Sequence, residues 1–278
     1  MNTLELTLLI WLGSLLAGFL GSLTGLGGGI VITPLLTLAF GVNIRYAIGA
    51  TLVSVIATSS GAAAAYVKEG FTNIRIGMFL EVATTVGAVM GASVAARLPA
   101  SSIAVIFGIV LLYSAYMASR PSPPRVADDH RDRLATLLKF DSEYPTTAGL
   151  QSYHVRGVPA GFSLMFVAGT LSGLLGIGSG ALKVIAMDQA MRVPFKVSTT
   201  TSNFMIGVTA AASAGVYLQR GYIDPGLAMP VMLGVLLGAL LGARLLPRTR
   251  TTWLRALFAV VVAVLAVEMI YHGVTGKL

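Results

Sequence analysis

The chain has no cysteine and only three histidines. The first absence excludes a disulfide, a thiolate metal site and a thiol relay. Two of the histidines, His130 and His154, fall in the polar centre of the chain without metal-ligand spacing. Charge is scarce as well, at 11% of 278 residues, and the acidic sign is the scarcer, with 11 Asp and Glu against 19 Lys and Arg. So few acids leave no His, Asp and Glu constellation for metal-assisted hydrolysis, and no nucleophile stands with a paired base, so an enzyme is not expected. No metal or cofactor is implied. The net charge of +8 would suit nucleic acid in a soluble protein. In an apolar chain it is what cytoplasmic loops require, and nucleic acid is not the expected partner.

What the chain does contain is apolar: 55% of its residues are hydrophobic, with a mean hydropathy of +0.83. This composition predicts an all-α polytopic membrane protein with the lipid bilayer as its first partner. Apolar runs near 6–23, 47–67, 76–96, 103–117, 158–175, 197–218, 227–246 and 254–271 are mostly long enough for a hydrocarbon core of about 30 Å. Two runs, 30–40 and 181–191, are too short. Glu5 and the lack of Lys or Arg before the first run predict a retained span, since a cleaved leader carries a basic start.

The chain is written twice. Gly25-Leu26-Gly27-Gly28-Gly29 returns 151 residues later as Gly176-Ile177-Gly178-Ser179-Gly180, and the same offset holds without gaps over roughly eighty residues. It places Arg45 on Lys196, Tyr66 on Tyr217, Gly70 on Gly221, and Gly87 and Gly91 on Gly238 and Gly242. The expected organisation is a first transmembrane repeat at 1–119, a cytoplasmic linker at 120–157, and a second repeat at 158–278. The linker carries Pro121-Ser122-Pro123-Pro124 and Asp128-Asp129-His130-Arg131-Asp132-Arg133. It reads as a solvated tether, with Leu134, Leu137, Leu138 and Phe140 available for a short amphipathic helix on the membrane.

Charge decides how the halves are oriented. If each glycine cluster turns the chain back, each repeat is a broken-helix hairpin plus three transmembrane helices, an odd number of crossings, and the halves are inverted. Arg45, Arg97, Arg220 and Lys277 then lie on one side, fourteen basic residues on the other, and Lys183 inside the membrane. With a continuous broken span in place of the hairpin, the same residues divide ten to eight. The excess of positive charge on the cytoplasmic side selects the inverted topology, with both termini outside.

Consecutive glycines disfavour a helix by about 1 kcal/mol each relative to alanine, so Gly27, Gly28 and Gly29 mark a helix break, as do Gly178, Ser179 and Gly180. Irregular backbone at membrane depth is tolerated only where it is buried in protein or lines a cavity. The helix starts beyond the two breaks would present unpaired N–H groups to each other, an arrangement suited to an anion. Hydroxyl and carboxamide groups follow in both halves: Thr51, Ser54, Thr58, Ser59 and Ser60, then Ser198 to Asn203, among which Thr51, Thr200, Ser202 and Asn203 are the candidates to bind an oxyanion. Such groups also bond to their own helix carbonyls. Lys183 replaces Ile32 of the first repeat. A cation in the first turn needs a negative partner, and three readings stand: an anionic substrate, an ion pair with Asp188 or Glu81, or snorkelling to the surface. Glu81, where the duplicate has Met232, is a candidate coupling site for a proton or cation, with an ion pair to Lys183 or an interfacial place as alternatives.

The Gly25-to-Gly29 cluster followed by Pro34-Leu35-Leu36, then Ala47, Gly49, Thr51 and Leu52, and the repeated Gly-Ala-x-x-Gly-Ala blocks resemble the TauE/SafE family of sulfite and organosulfonate transporters. The resemblance covers nearly the whole chain apart from the linker. It implies export or import of small sulfur-containing or carboxylate anions across a bacterial inner membrane; the outer side selected by the charge count is then the periplasm, where both termini are expected. Ser179 and Lys183 depart from the simplest pattern.

Overall fold

A computed structural model of the chain describes residues 3–24, 29–68, 70–119, 132–146, 149–245 and 251–276. The expectations attached to Gly27 and Gly28, to residues 120–131 of the linker and to the chain ends at 1–2 and 277–278 lie outside them. In hydrocarbon the backbone has no water to bond, so an apolar run closes its own hydrogen bonds as a helix. The first half runs α1 (Thr3–Thr24), α2 (Gly29–Pro34), a π-helical turn (Leu35–Ala39), α3 (Ile44–Lys68), α4 (Ile74–Ala95) and α5 (Ala100–Ser119). The middle of the chain forms α6 (Arg133–Leu137) and two strands, β1 (Ser142–Thr146) and β2 (Gly149–Tyr153). The second half repeats the first as α7 (Val158–Leu175), α8 (Gly180–Ile185), a π-helical turn (Ala186–Ala190), α9 (Phe195–Gln219), α10 (Pro225–Leu245) and α11 (Thr251–Thr275). From α2 onward each element starts 151 residues before its counterpart, so the offset read in the sequence is also the offset of the structure.

Among the described residues, four helices are long and apolar enough to cross a membrane: α1 over Leu4–Gly21, α4, α7, and α10 over Pro225–Gly242. Their outward faces are apolar, with Leu8, Leu12 and Leu16 of α1, Val82 and Val86 of α4, and Leu237 and Leu241 of α10 all exposed. This surface suits lipid tails. The fold is that of a helical membrane protein with one small addition, the β1–β2 pair.

Helix directions follow from close contacts. α4 and α7 run side by side in the same sense: a methyl group on Gly87 or Gly91 would meet the backbone of Phe166 and Thr170, and one on Gly169 or Gly173 that of Thr84 and Ala88. α1 and α10 make the corresponding seam, with Gly18 against Val235, and Gly234 and Gly238 against Trp11 and Leu15. Small residues thus let backbones touch at two related places, the packing expected of glycines four apart. α3 and α9, by contrast, run in opposite senses. The Thr200 hydroxyl at the start of α9 donates to the Phe71 carbonyl just beyond α3 (3.1 Å), and Gly49 near the start of α3 lies against the Tyr222 carbonyl just beyond α9. The same two ends hold matching cation–π contacts, Lys196 over Phe71 at 3.8 Å and Arg45 over Tyr222 at 5.8 Å. α5 and α11 also oppose each other, Gly108 facing Ala266 and Ile270 while Gly273 faces Ser101 and Ala104.

The short helices turn back. Gly13 of α1 lies against Leu35 and Phe40, and Gly161 of α7 against Met191. The Arg156 amide donates to the Met191 carbonyl at 3.0 Å, which brings the end of the second hairpin to the start of α7.

The linker differs from a free tether. β1 and β2 pair antiparallel, Ser142 opposite Tyr153, and Phe140, Tyr153 and Val155 are buried with Ile76, Leu80, Met187, Val193 and Val197. Asn73 ties this cap down. Its Oδ1 accepts from the Ile76 amide and so caps α4 (3.1 Å), while its Nδ2 donates to the Phe140 carbonyl (3.1 Å) and the Tyr153 hydroxyl (2.7 Å). The equivalent position, Asp224, binds only its own helix start in this way, accepting from the Gly226 amide at 2.9 Å. A short helix is present as α6, as expected, but it ends before Leu138, and Phe140 enters the protein.

Candidate functional site

The second break is described residue by residue. Gly176 closes α7 in the left-handed region at φ 71°, its amide donating to the Ser172 carbonyl. Gly178 follows at φ 70° and Ser179 at φ 45°, and α8 then begins at Gly180. A left-handed conformation costs a non-glycine residue about 1–2 kcal/mol, so Ser179 is held there against its preference. Its side chain is buried and its hydroxyl has no hydrogen-bond partner.

The start of α2 meets the second break beside α3 and α9. Gly29, the first residue of α2, has no room for a methyl group: Val55 and Thr51 of α3 are too close, and the Gly176 carbonyl of the other break lies just beyond. Gly178 packs on Ile206 and Val55, and Gly180 on Ile206. Ser202 donates to the Gly180 carbonyl at 3.2 Å. Thr51 donates to the Ala47 carbonyl (2.8 Å), so the bond it shares with Thr33 (2.9 Å) has Thr33 as donor. The structure therefore brings together Gly29, Thr51, Gly178, Ser179, Gly180 and Ser202.

The rest of the Ser198-to-Asn203 block does other things. Thr200 binds the Phe71 and Lys196 carbonyls, and Thr201 accepts from the Asn73 amide at 3.0 Å, so both join the α3–α4 loop to the start of α9. Ser198 and Thr199 donate to the Val193 and Phe195 carbonyls. Asn203 is half-buried one residue beyond Ser202.

Lys183 is fully buried, which removes the snorkelling reading. Its Nζ donates to the Thr209 hydroxyl at 2.5 Å. Thr209 in turn donates to Glu81 Oε1 at 2.6 Å, and Thr85 donates to the same oxygen at 3.2 Å. Glu81 Oε2 is buried with no hydrogen-bond partner. The cation and the carboxylate are thus joined through one hydroxyl. Thr209 escaped sequence reasoning. The available signal was its place seven residues after Ser202, on the same face of α9, and its alignment with Thr58 of the first half.

The second break, a buried cation and a central pair of hydroxyl-bearing helices thus lie together. The family described as "Sulfite exporter TauE/SafE" matches residues 10–269. The chain belongs to the TauE/SafE family. Curated relatives agree over most of their length. The "Probable membrane transporter protein YunE" of Bacillus subtilis (strain 168) is 28% identical over 278 residues, covering 98% of this chain and 99% of its own. A "Probable membrane transporter protein" of Xylella fastidiosa (strain Temecula1) is 26% identical over 263 residues, covering 93% and 92%. No solved structure matches the chain. This TauE/SafE member is accordingly a multi-pass protein of a membrane transporter family.

Proposed function

We propose that this TauE/SafE protein is a secondary transporter that moves small sulfur-containing anions, sulfite or organosulfonates, across the bacterial inner membrane. The anion is held where the start of α2 meets the second break, between Gly29 and Thr51 on one side and Ser179, Gly180, Ser202 and Lys183 on the other. The observation that carries this reading is Lys183, a cation enclosed by protein beside a strained break whose Ser179 hydroxyl is unused. Burying a charge costs several kcal/mol; Glu81, joined through Thr209, offsets part of that cost, and an anion arriving at the break would pair with Lys183 directly. The family description supports sulfite-like substrates, and small carboxylates are the second class to test.

The opposed directions of α3 and α9 and of α5 and α11 support inverted halves, with the termini periplasmic and the linker cytoplasmic. Alternating exposure of the site would then arise from movement of one half against the other. A facilitative channel shares the site but lacks coupling to an ion gradient. Flux into proteoliposomes, with sulfite, methanesulfonate and acetate in turn, tests the reading; failure of all three to be transported defeats it. Lys183→Ala is expected to weaken anion binding at least tenfold, about 1.4 kcal/mol, and unchanged affinity assigns Lys183 to structure alone.

A further inference from the structure

We propose that Glu81 carries one proton with each anion that Lys183 binds, so that the transporter moves singly charged anions by electroneutral proton symport. The inference rests on the anion site proposed above and adds its coupling and the charge class of its substrate. Lys183, Thr209 and Glu81 form one chain of hydrogen bonds, Nζ to hydroxyl to Oε1. An ammonium has three donors, and Thr209 uses one, so two remain for an incoming oxyanion. Glu81 Oε1 already accepts from Thr209 and Thr85, while Oε2 has no partner and no contact with solvent.

Charge balance gives these contacts a direction. With the site empty, the Lys183 ammonium and the Glu81 carboxylate cancel. A monoanion docked on Lys183 leaves one uncompensated negative charge in a low-dielectric setting, where such an excess is heavily penalised. A proton taken from solution onto Oε2, forming one O–H bond with no change of oxidation state, restores neutrality. Release of the anion on the far side releases the proton by the reverse step. Both the loaded and the empty carrier are then neutral, whereas a dianion would leave the loaded carrier charged.

Among the described residues, the other titratable groups on the elements packed here are engaged elsewhere. α7 carries none along its length. On α9 the ionisable side chains are Lys196, which sits over the Phe71 ring, and Tyr217, which donates to the Leu174 carbonyl. On α4 the other is Arg75, exposed and bound to the Lys139 carbonyl. The π-helical turn after α8 carries Asp188, a partly exposed residue whose Oδ1 is buried and which has an interaction partner of its own. The duplicate positions of Lys183 and Glu81 are Ile32 and Met232, so one proton per transport cycle is the stoichiometry.

The test uses the full-length protein in proteoliposomes with an internal pH dye and, as probes, hydrogen sulfite and methanesulfonate, the latter keeping a single charge at every working pH. The expected result is accumulation that rises about tenfold per unit of imposed pH gradient, one proton per anion, and no response to a potential set by potassium and valinomycin. Glu81→Gln is expected to abolish the response to the pH gradient, and Glu81→Asp to restore it. Uptake by the wild type that responds to potential and moves no protons overturns the coupling while leaving the anion site standing. Absence of either anion's uptake, even by exchange against itself, overturns the anion site and the coupling with it.

Discussion

Asn73 joins four parts of the molecule through one side chain and one amide: the start of α4, Phe140 before the hairpin, Tyr153 at its end, and Thr201 on α9. Asn73→Leu removes the helix cap and leaves the Tyr153 hydroxyl and the Phe140 carbonyl short of a partner. The expected loss is on the order of 2 kcal/mol in docking of the hairpin, seen as faster amide exchange over residues 140–155. Tyr153 adds a pH dependence. Burial pushes its phenol above the usual tyrosine value, against the lowering effect of the Asn73 bond. The phenol of an undocked hairpin therefore ionises first, so docking is fully supported below about pH 10 and weakens as the pH rises beyond it. Tyr153→Phe is expected to remove that dependence. At this scale the sequence identified Lys183 and the break, because a lysine and clustered glycines are conspicuous in an apolar run. Thr209 was not legible, since one threonine in a helix says nothing until the residues facing it are known.

Among elements, the glycine seams carry the most backbone-to-backbone contact. Gly91 faces the Thr170 carbonyl, which cannot rotate away as a side chain would. Gly91→Leu should cost about 3 kcal/mol or more and lower the unfolding temperature in detergent, while Met90→Leu on the exposed face should leave it nearly unchanged. The helices and their duplication were legible because lipid forces apolar runs into helices and because one offset aligned both halves. The hairpin was not. Residues 142–153 are polar enough to read as solvated, and the apolar residues that dock them, Phe140, Tyr153 and Val155, are too few and too scattered to form a period.

For the whole molecule, exchanging the two halves turns the α1–α10 seam into the α4–α7 seam and leaves the α3–α9 and α5–α11 pairs unchanged. The uneven division of basic residues supports the inverted orientation proposed above. The natural chain has no cysteine, so it serves directly for labelling. Asn2→Cys and Lys277→Cys are expected to react with an impermeant maleimide from the periplasm, and His130→Cys only after the membrane is opened; the reverse pattern overturns the inverted orientation.

The pairing of α3 with α9 also has a consequence for synthesis. Ser59 of α3 lies against Gly207 of α9, which leaves the ribosome 148 residues later. Until then this part of α3 lacks its α9 neighbour. A chain truncated before α9 is therefore expected to be degraded faster than the complete protein, as pulse-chase labelling would show.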